Sequence, residues 1–216
     1  MRILSASMFV VAVLAPGTAL SGGPAADWTG FSIGGAGGIA FGNAHSDISG
    51  RIATFSGFGA IYAEYNLPLA DRLVLGLATG ISPAPGLFGN GSRPCPAALC
   101  QGLSAVSEFH TQVSWFADVR FRVGYAIGQF LPYMTAGFGF GEGRASATTS
   151  VLGIPVSERV VNSNLRGGVF GGGLQYALTG HLSVDALYLR VQASANRVPN
   201  AGIGANALRV GLDYRF

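Results

Sequence analysis

The chain has 216 residues and a mean hydropathy of +0.42, with 34 glycines and only 11% charged residues, against roughly 25% in ordinary soluble domains. Every basic side chain is Arg, the formal charge of +3 becomes about +2 without Arg2, and no basic run exists, which excludes nucleic acid as a partner. Helical membrane proteins are excluded too, because no apolar run of about 18 to 20 residues follows the N-terminus; a chain this apolar must meet lipid as strands closed on themselves, leaving no backbone edge unpaired.

Residues 1–19 have the pattern of a secretory signal: Arg2, an apolar stretch from Ile3 to Leu14, then small residues at Gly17 and Ala19. Cleavage is expected after Ala19, with Ala25 as a later option, leaving a barrel domain over 27–216. Export places the two cysteines in an oxidising compartment. Cys95 and Cys100 are expected to form a local disulfide that pins a loop tip. A metal site would need further ligands, and His110 is the only histidine nearby in sequence. No cofactor is implied.

Eight segments alternate apolar with polar or small residues: 29–41, 55–66, 72–82, 110–127, 130–142, 164–178, 182–193 and 205–216. The eighth is clearest, with Leu208, Val210, Leu212, Tyr214 and Phe216 opposing Arg209, Gly211, Asp213 and Arg215. In the fourth, Val113, Trp115, Ala117, Val119, Phe121, Val123 and Tyr125 share the apolar face, and Phe116 is the one large apolar residue on the other. One lipid face and one lumen face require this period of two. Three connections are short, at 67–71, 128–129 and 179–181, while 42–54, 83–109, 143–163 and 194–204 are long. The expected fold is all-β: a closed antiparallel eight-stranded transmembrane β-barrel with short periplasmic turns and four long extracellular loops.

Aromatic placement supports the same assignment. Tyr65, Tyr125, Tyr176 and Tyr214 carry the lipid-facing parity at the short-turn ends, and Phe55, Trp115, Phe140 and Tyr188 lie toward the opposite ends. Two interfacial girdles result. The opposite parity places Glu64, Asp118, Asp185 and Asp213 inward with Arg120, Arg122, Arg209 and Arg215. An eight-stranded barrel is just wide enough to be filled by side chains, so four acids and four bases are expected to pair as a plug; a narrow solute path lined by them is the alternative. Arg166 and Arg190 have lipid-facing parity near the long-loop end. There their guanidinium groups are expected either to contact lipopolysaccharide phosphates or simply to snorkel.

Two catalytic patterns carry little. Gly35-Ala36-Gly37-Gly38-Ile39-Ala40 fits a dinucleotide fingerprint, but no helix follows it. His45-Ser46-Asp47 and His181, Ser183, Asp185 hold hydrolase residue types, yet consecutive loop residues seldom converge as nucleophile and base. In the second set His181 falls at a periplasmic turn, while lumen-facing Asp185 has Arg partners to hand.

Asp27-Trp28-Thr29-Gly30-Phe31-Ser32-Ile33-Gly34, Gly171-Gly172-Gly173-Leu174-Gln175-Tyr176-Ala177-Leu178 and the closing Leu208–Phe216 together resemble the small Gram-negative outer-membrane barrels. These are the porin-like, opacity-type group related to OmpA- and OmpX-like barrels. Ser32 departs from that group's usual aromatic, as does the long second loop with its two cysteines. The resemblance implies residence in the cell outer membrane and recognition of the terminal Tyr214 and Phe216 by the barrel-assembly machinery. It also implies envelope integrity, surface contact or weak pore formation, with no shared catalytic residues. The expected function is a non-enzymatic structural or surface-interaction role, with a host or envelope ligand met through the long loops. A narrow passive channel is the first alternative and a lipid-modifying hydrolase the second.

Overall fold

A computed structural model describes residues 26–46, 50–82, 88–94, 105–152, 154–197 and 200–216. The signal segment, Cys95 and Cys100 lie outside the described residues. Alternation of side chains and abundant β-branched and aromatic residues give nine strands among them: β1 (Gly30–Ser46), β2 (Gly50–Pro68), β3 (Leu73–Ser82), β4 (Phe88–Pro94), β5 (Ala105–Tyr125), β6 (Phe130–Val151), β7 (Ile154–Ala177), β8 (Leu182–Ala195) and β9 (Gly202–Arg215). Every pairing is antiparallel. Strands β3 and β4 both lie between β2 and β5, so together they make one interrupted stave and the ring has eight. It closes where β1 pairs β9, from Ser32↔Arg215 to His45↔Gly202.

The alternation sorts side chains as lipid on one side and a packed interior on the other demand. On β9, Val210, Leu212 and Tyr214 are exposed while Arg209, Asp213 and Arg215 are buried. Tyr65, Tyr125, Tyr176 and Tyr214 stand exposed at the short-turn ends, and Phe55, Phe140 and Tyr188 toward the other. Trp115 meets Phe140 edge-on at 6.1 Å. The short connections are tight turns. In one, Ile127 and Phe130 exchange backbone hydrogen bonds around Gly128, whose φ of +60° suits glycine. No helix among the described residues is long and apolar enough to cross a membrane.

Two expectations are corrected. Segments 42–54 and 143–163, read as long loops, are largely strand: β1 and β2 stay paired up to Ser46↔Gly50, and β6 and β7 up to Val151↔Ile154. Part of 83–109 is likewise paired, as β4 and the start of β5. On the outer parts of β6 and β7 both faces meet water, so that ladder continues without the alternation that marks it inside, whereas Ala44, Ile52 and Thr54 keep an inward face on β1 and β2. In the last of the four expected loops, Ala195 N–H donates to the Ala201 carbonyl (2.9 Å), and β8 and β9 pair up to Ser194↔Gly202. The second correction is a β-bulge at Ser114, where Val113 pairs Gly143 but Trp115 pairs Glu142. The extra residue inverts parity above it. Val113, expected to face lipid, is therefore buried inside.

Candidate functional site: the interior and the outer rim

The interior is built in layers. At the short-turn end, Trp28 precedes β1 and is buried with Val74, Leu131 and Ala177. The Arg215 guanidinium lies 4.9 Å over its ring and donates to the Asp27 carbonyl. Thr29 donates from both hydroxyl (2.6 Å) and amide (2.9 Å) to the Asp27 carboxylate, which holds that carboxyl below its ordinary range. Ala26 N–H reaches the Gly128 carbonyl (3.2 Å), binding this lead-in segment to the β5–β6 turn. The layer is a floor.

Above it lies the charged layer. Arg122 donates to Glu64 and, at 3.0 Å, to Gln175 Oε1, while Gln175 Nε2 donates back to Glu64 (3.1 Å). Arg122 also stacks 3.8 Å over the Tyr133 ring. The Tyr133 hydroxyl donates to Asp185 (2.6 Å), whose second oxygen accepts from Arg209 at 3.5 Å. Arg209 covers the Tyr62 ring at 4.2 Å, Gln175 reaches Asp213 at 3.4 Å, and Arg120 pairs with Asp118. All eight residues expected inward are buried, Arg215 in the floor and the others above it: Glu64, Asp118, Arg120, Arg122, Asp185, Arg209 and Asp213. Burying a charge costs several kcal/mol unless partners surround it, and here rings and an amide add to the contacts that the acids supply, leaving Arg209 Nε without an acceptor. Tyr62, Tyr133, Gln175 and Trp28 were not singled out from the sequence. Their signal was present, since Tyr62 shares the parity of Glu64, and Gln175 lies next to lipid-facing Tyr176.

The outer half of the interior is apolar, with Val113, Leu165, Ala40, Ala193 and Ala205 buried against Phe58 and Phe116. On the outer wall Arg166 is exposed beside Phe140 in the ladder, and Arg190 donates to Asn206 Oδ1 (3.0 Å), which also accepts from the Tyr188 hydroxyl (2.8 Å). Above Leu165↔Ala195, β7 has no strand on its β8 side among the described residues, and Asn164 and Asn196 cap the junction reciprocally. Phe216 stacks on Phe31 at 5.7 Å and meets Tyr214 edge-on at 5.2 Å.

Residues of the hydrolase-like sets point elsewhere. His181 Nδ1 sits 3.0 Å from the Arg215 carbonyl, and Asp185 is engaged by Tyr133 and Arg209. Asp47 lies outside the described residues. The glycine fingerprint runs inside β1, paired on both edges. His110 faces Asn90 across β4 and β5 at 2.7 Å, and no metal-binding cluster of three His, Cys, Asp or Glu occurs among the described residues.

The family model described as outer membrane protein beta-barrel domain matches residues 4–216. Two relatives, each named 31 kDa outer-membrane immunogenic protein, come from Brucella melitensis and Brucella suis; each is 28% identical over 184 residues, covering 80% of this chain and 72% of its own length. Among solved structures, Neisserial surface protein A is similar with a TM-score of 0.46 and 18% identity, over 87% of this chain and 98% of its own.

Proposed function

Since the chain belongs to the outer membrane protein beta-barrel domain family and resides in the cell outer membrane, we propose that it is a non-enzymatic surface-interaction protein whose barrel is an anchor rather than a conduit. One observation carries the reading. The wall is stoppered at its inner end by Trp28 and the charged layer, yet continues at its outer end into paired hairpins that pass the aromatic belt. The β6–β7 hairpin offers a strand edge from Ile154 onward, which suits main-chain pairing with an extended partner segment. That such hairpins are displayed also accords with the immunogenic naming of the Brucella relatives.

Other partners belong to the same reading. Arg166 and Arg190 sit where guanidinium groups pair with lipopolysaccharide phosphates. Tyr214 and Phe216 end the strand offered to the barrel-assembly machinery, and a Cys95–Cys100 disulfide would stiffen the second loop for a host or envelope ligand. A narrow passive channel is the second reading, favoured by the hollow outer half of the interior. Planar-bilayer recording separates the two. The anchor reading expects no reproducible single-channel steps; regular steps that grow in Trp28→Ala would replace it with the channel.

A further inference from the structure

The outer half of the interior encloses about 120 Å3 of space that the anchoring role does not use. An eight-stranded barrel normally fills its lumen with side chains, and here alanines stand where filling groups are needed: Ala40, Ala193 and Ala205 line the space opposite Phe58, Phe116 and Leu165. Apolar cavities of about 150 Å3 stay dry and admit benzene-sized molecules, so this one is of a size to hold a single small guest. A second cavity of about 90 Å3 shares Leu165 and Ile203 with it and extends to His45, Arg144 and Ala201 at the outer rim. The two cavities therefore meet at Leu165 and Ile203, on the side of the lumen away from the charged layer.

The polar end of the cavity narrows the guest's chemistry. Asp118 and Arg209 are the charged groups lining it among the described residues. Arg209 spends Nη2 on Asp185 and its plane on Tyr62, but its Nε–H has no acceptor, and its side chain is only 4% exposed. A buried donor left unpaired is costly, so an arriving acceptor is favoured. An anion is not, because the buried acids and bases are equal in number and the Asp118 carboxylate borders the same space. A single hydroxyl, acceptor and donor at once, suits a lining that offers both an unpaired N–H and a carboxylate.

We propose that the outer lumen binds one small uncharged molecule with an apolar body and a single hydroxyl, a short alkanol or a phenol. The test uses the folded protein in phosphatidylcholine nanodiscs, with methyl NMR shifts read during titration by 1-hexanol and by hexanoate of matching length. Saturable shifts are expected at Val113, Ala193 and Ala205 with 1-hexanol, and at least tenfold weaker binding of hexanoate. Ala205→Leu and Ala193→Leu, each checked for the heat-shifted gel mobility of a folded barrel, should each weaken 1-hexanol binding at least tenfold. Unsaturable shifts centred on lipid-facing Val210 and Leu212, equal binding of hexanoate, or undiminished binding in a filled and folded variant would each overturn the proposal. The hexanol–hexanoate comparison in the unsubstituted protein decides the matter even if both variants fail to fold.

Discussion

The inner and outer halves of this barrel are made by the same staves, yet they solve the filling of a narrow lumen in opposite ways. The inner half packs large polar groups: Arg122, Glu64 and Gln175 share hydrogen bonds, and Arg122 stacks on Tyr133, which donates to Asp185. The outer half is lined by alanines and two phenylalanines and stays partly hollow. Between them, on β5, sits the bulge at Ser114, above which Val113 turns inward. Charge pairing closes space because each member constrains its neighbours. Small apolar side chains close it only by size, and these are too small.

Breaking the inner half should have the largest effect. Arg122→Ala leaves Glu64 buried without its cation, and loss of one partner from such a pair costs about 3 to 5 kcal/mol. Urea unfolding of the protein in liposomes reads this directly. A loss below about 1 kcal/mol would mean the inner layer is a set of independent contacts rather than a network. Lumen and lipid faces can be compared with the projecting hairpins in the same assay. Val210→Arg, between the two aromatic belts, should cost about 2 to 4 kcal/mol, whereas Val156→Arg on the outer part of β7 should stay within about 0.5 kcal/mol. Equal costs at both sites would place the hairpin in lipid. The smallest effect expected is at the rim. Arg166→Ala with Arg190→Ala should weaken lipopolysaccharide binding severalfold in a reconstituted assay and leave the fold intact. Unchanged binding would reduce both to snorkelling side chains.

Legibility in the sequence followed the solvent on either side of the wall. From Leu208 to Phe216 the faces meet lipid and a polar interior, and parity alone placed Arg209, Asp213 and Arg215 inward and Tyr214 outward. The same rule brought all eight interior charges to the right face. It did not reveal the bulge, because Val113 and Trp115 are both apolar and an unbroken alternation reads equally well through Ser114. It also missed the neutral members of the charged layer, since a count of acids and bases passes over Gln175 and Tyr133. The hairpins above the membrane were misread as loops for a related reason. Stretches such as Ala145 to Ser150 face water on both sides, so nothing in their composition marks them as strand.

Composition and alternation by themselves determined a closed antiparallel wall, its two aromatic belts and which charges it encloses, because lipid on one face allows no other placement of apolar side chains. Tertiary structure alone decided which guanidinium meets which carboxylate, where Trp28 stops the lumen, how far the staves rise above the belt and that the outer lumen is hollow. Those outcomes depend on register between strands distant in sequence, such as Glu64 on β2 and Gln175 on β7, and a periodicity read along one strand carries no information about its neighbours' register.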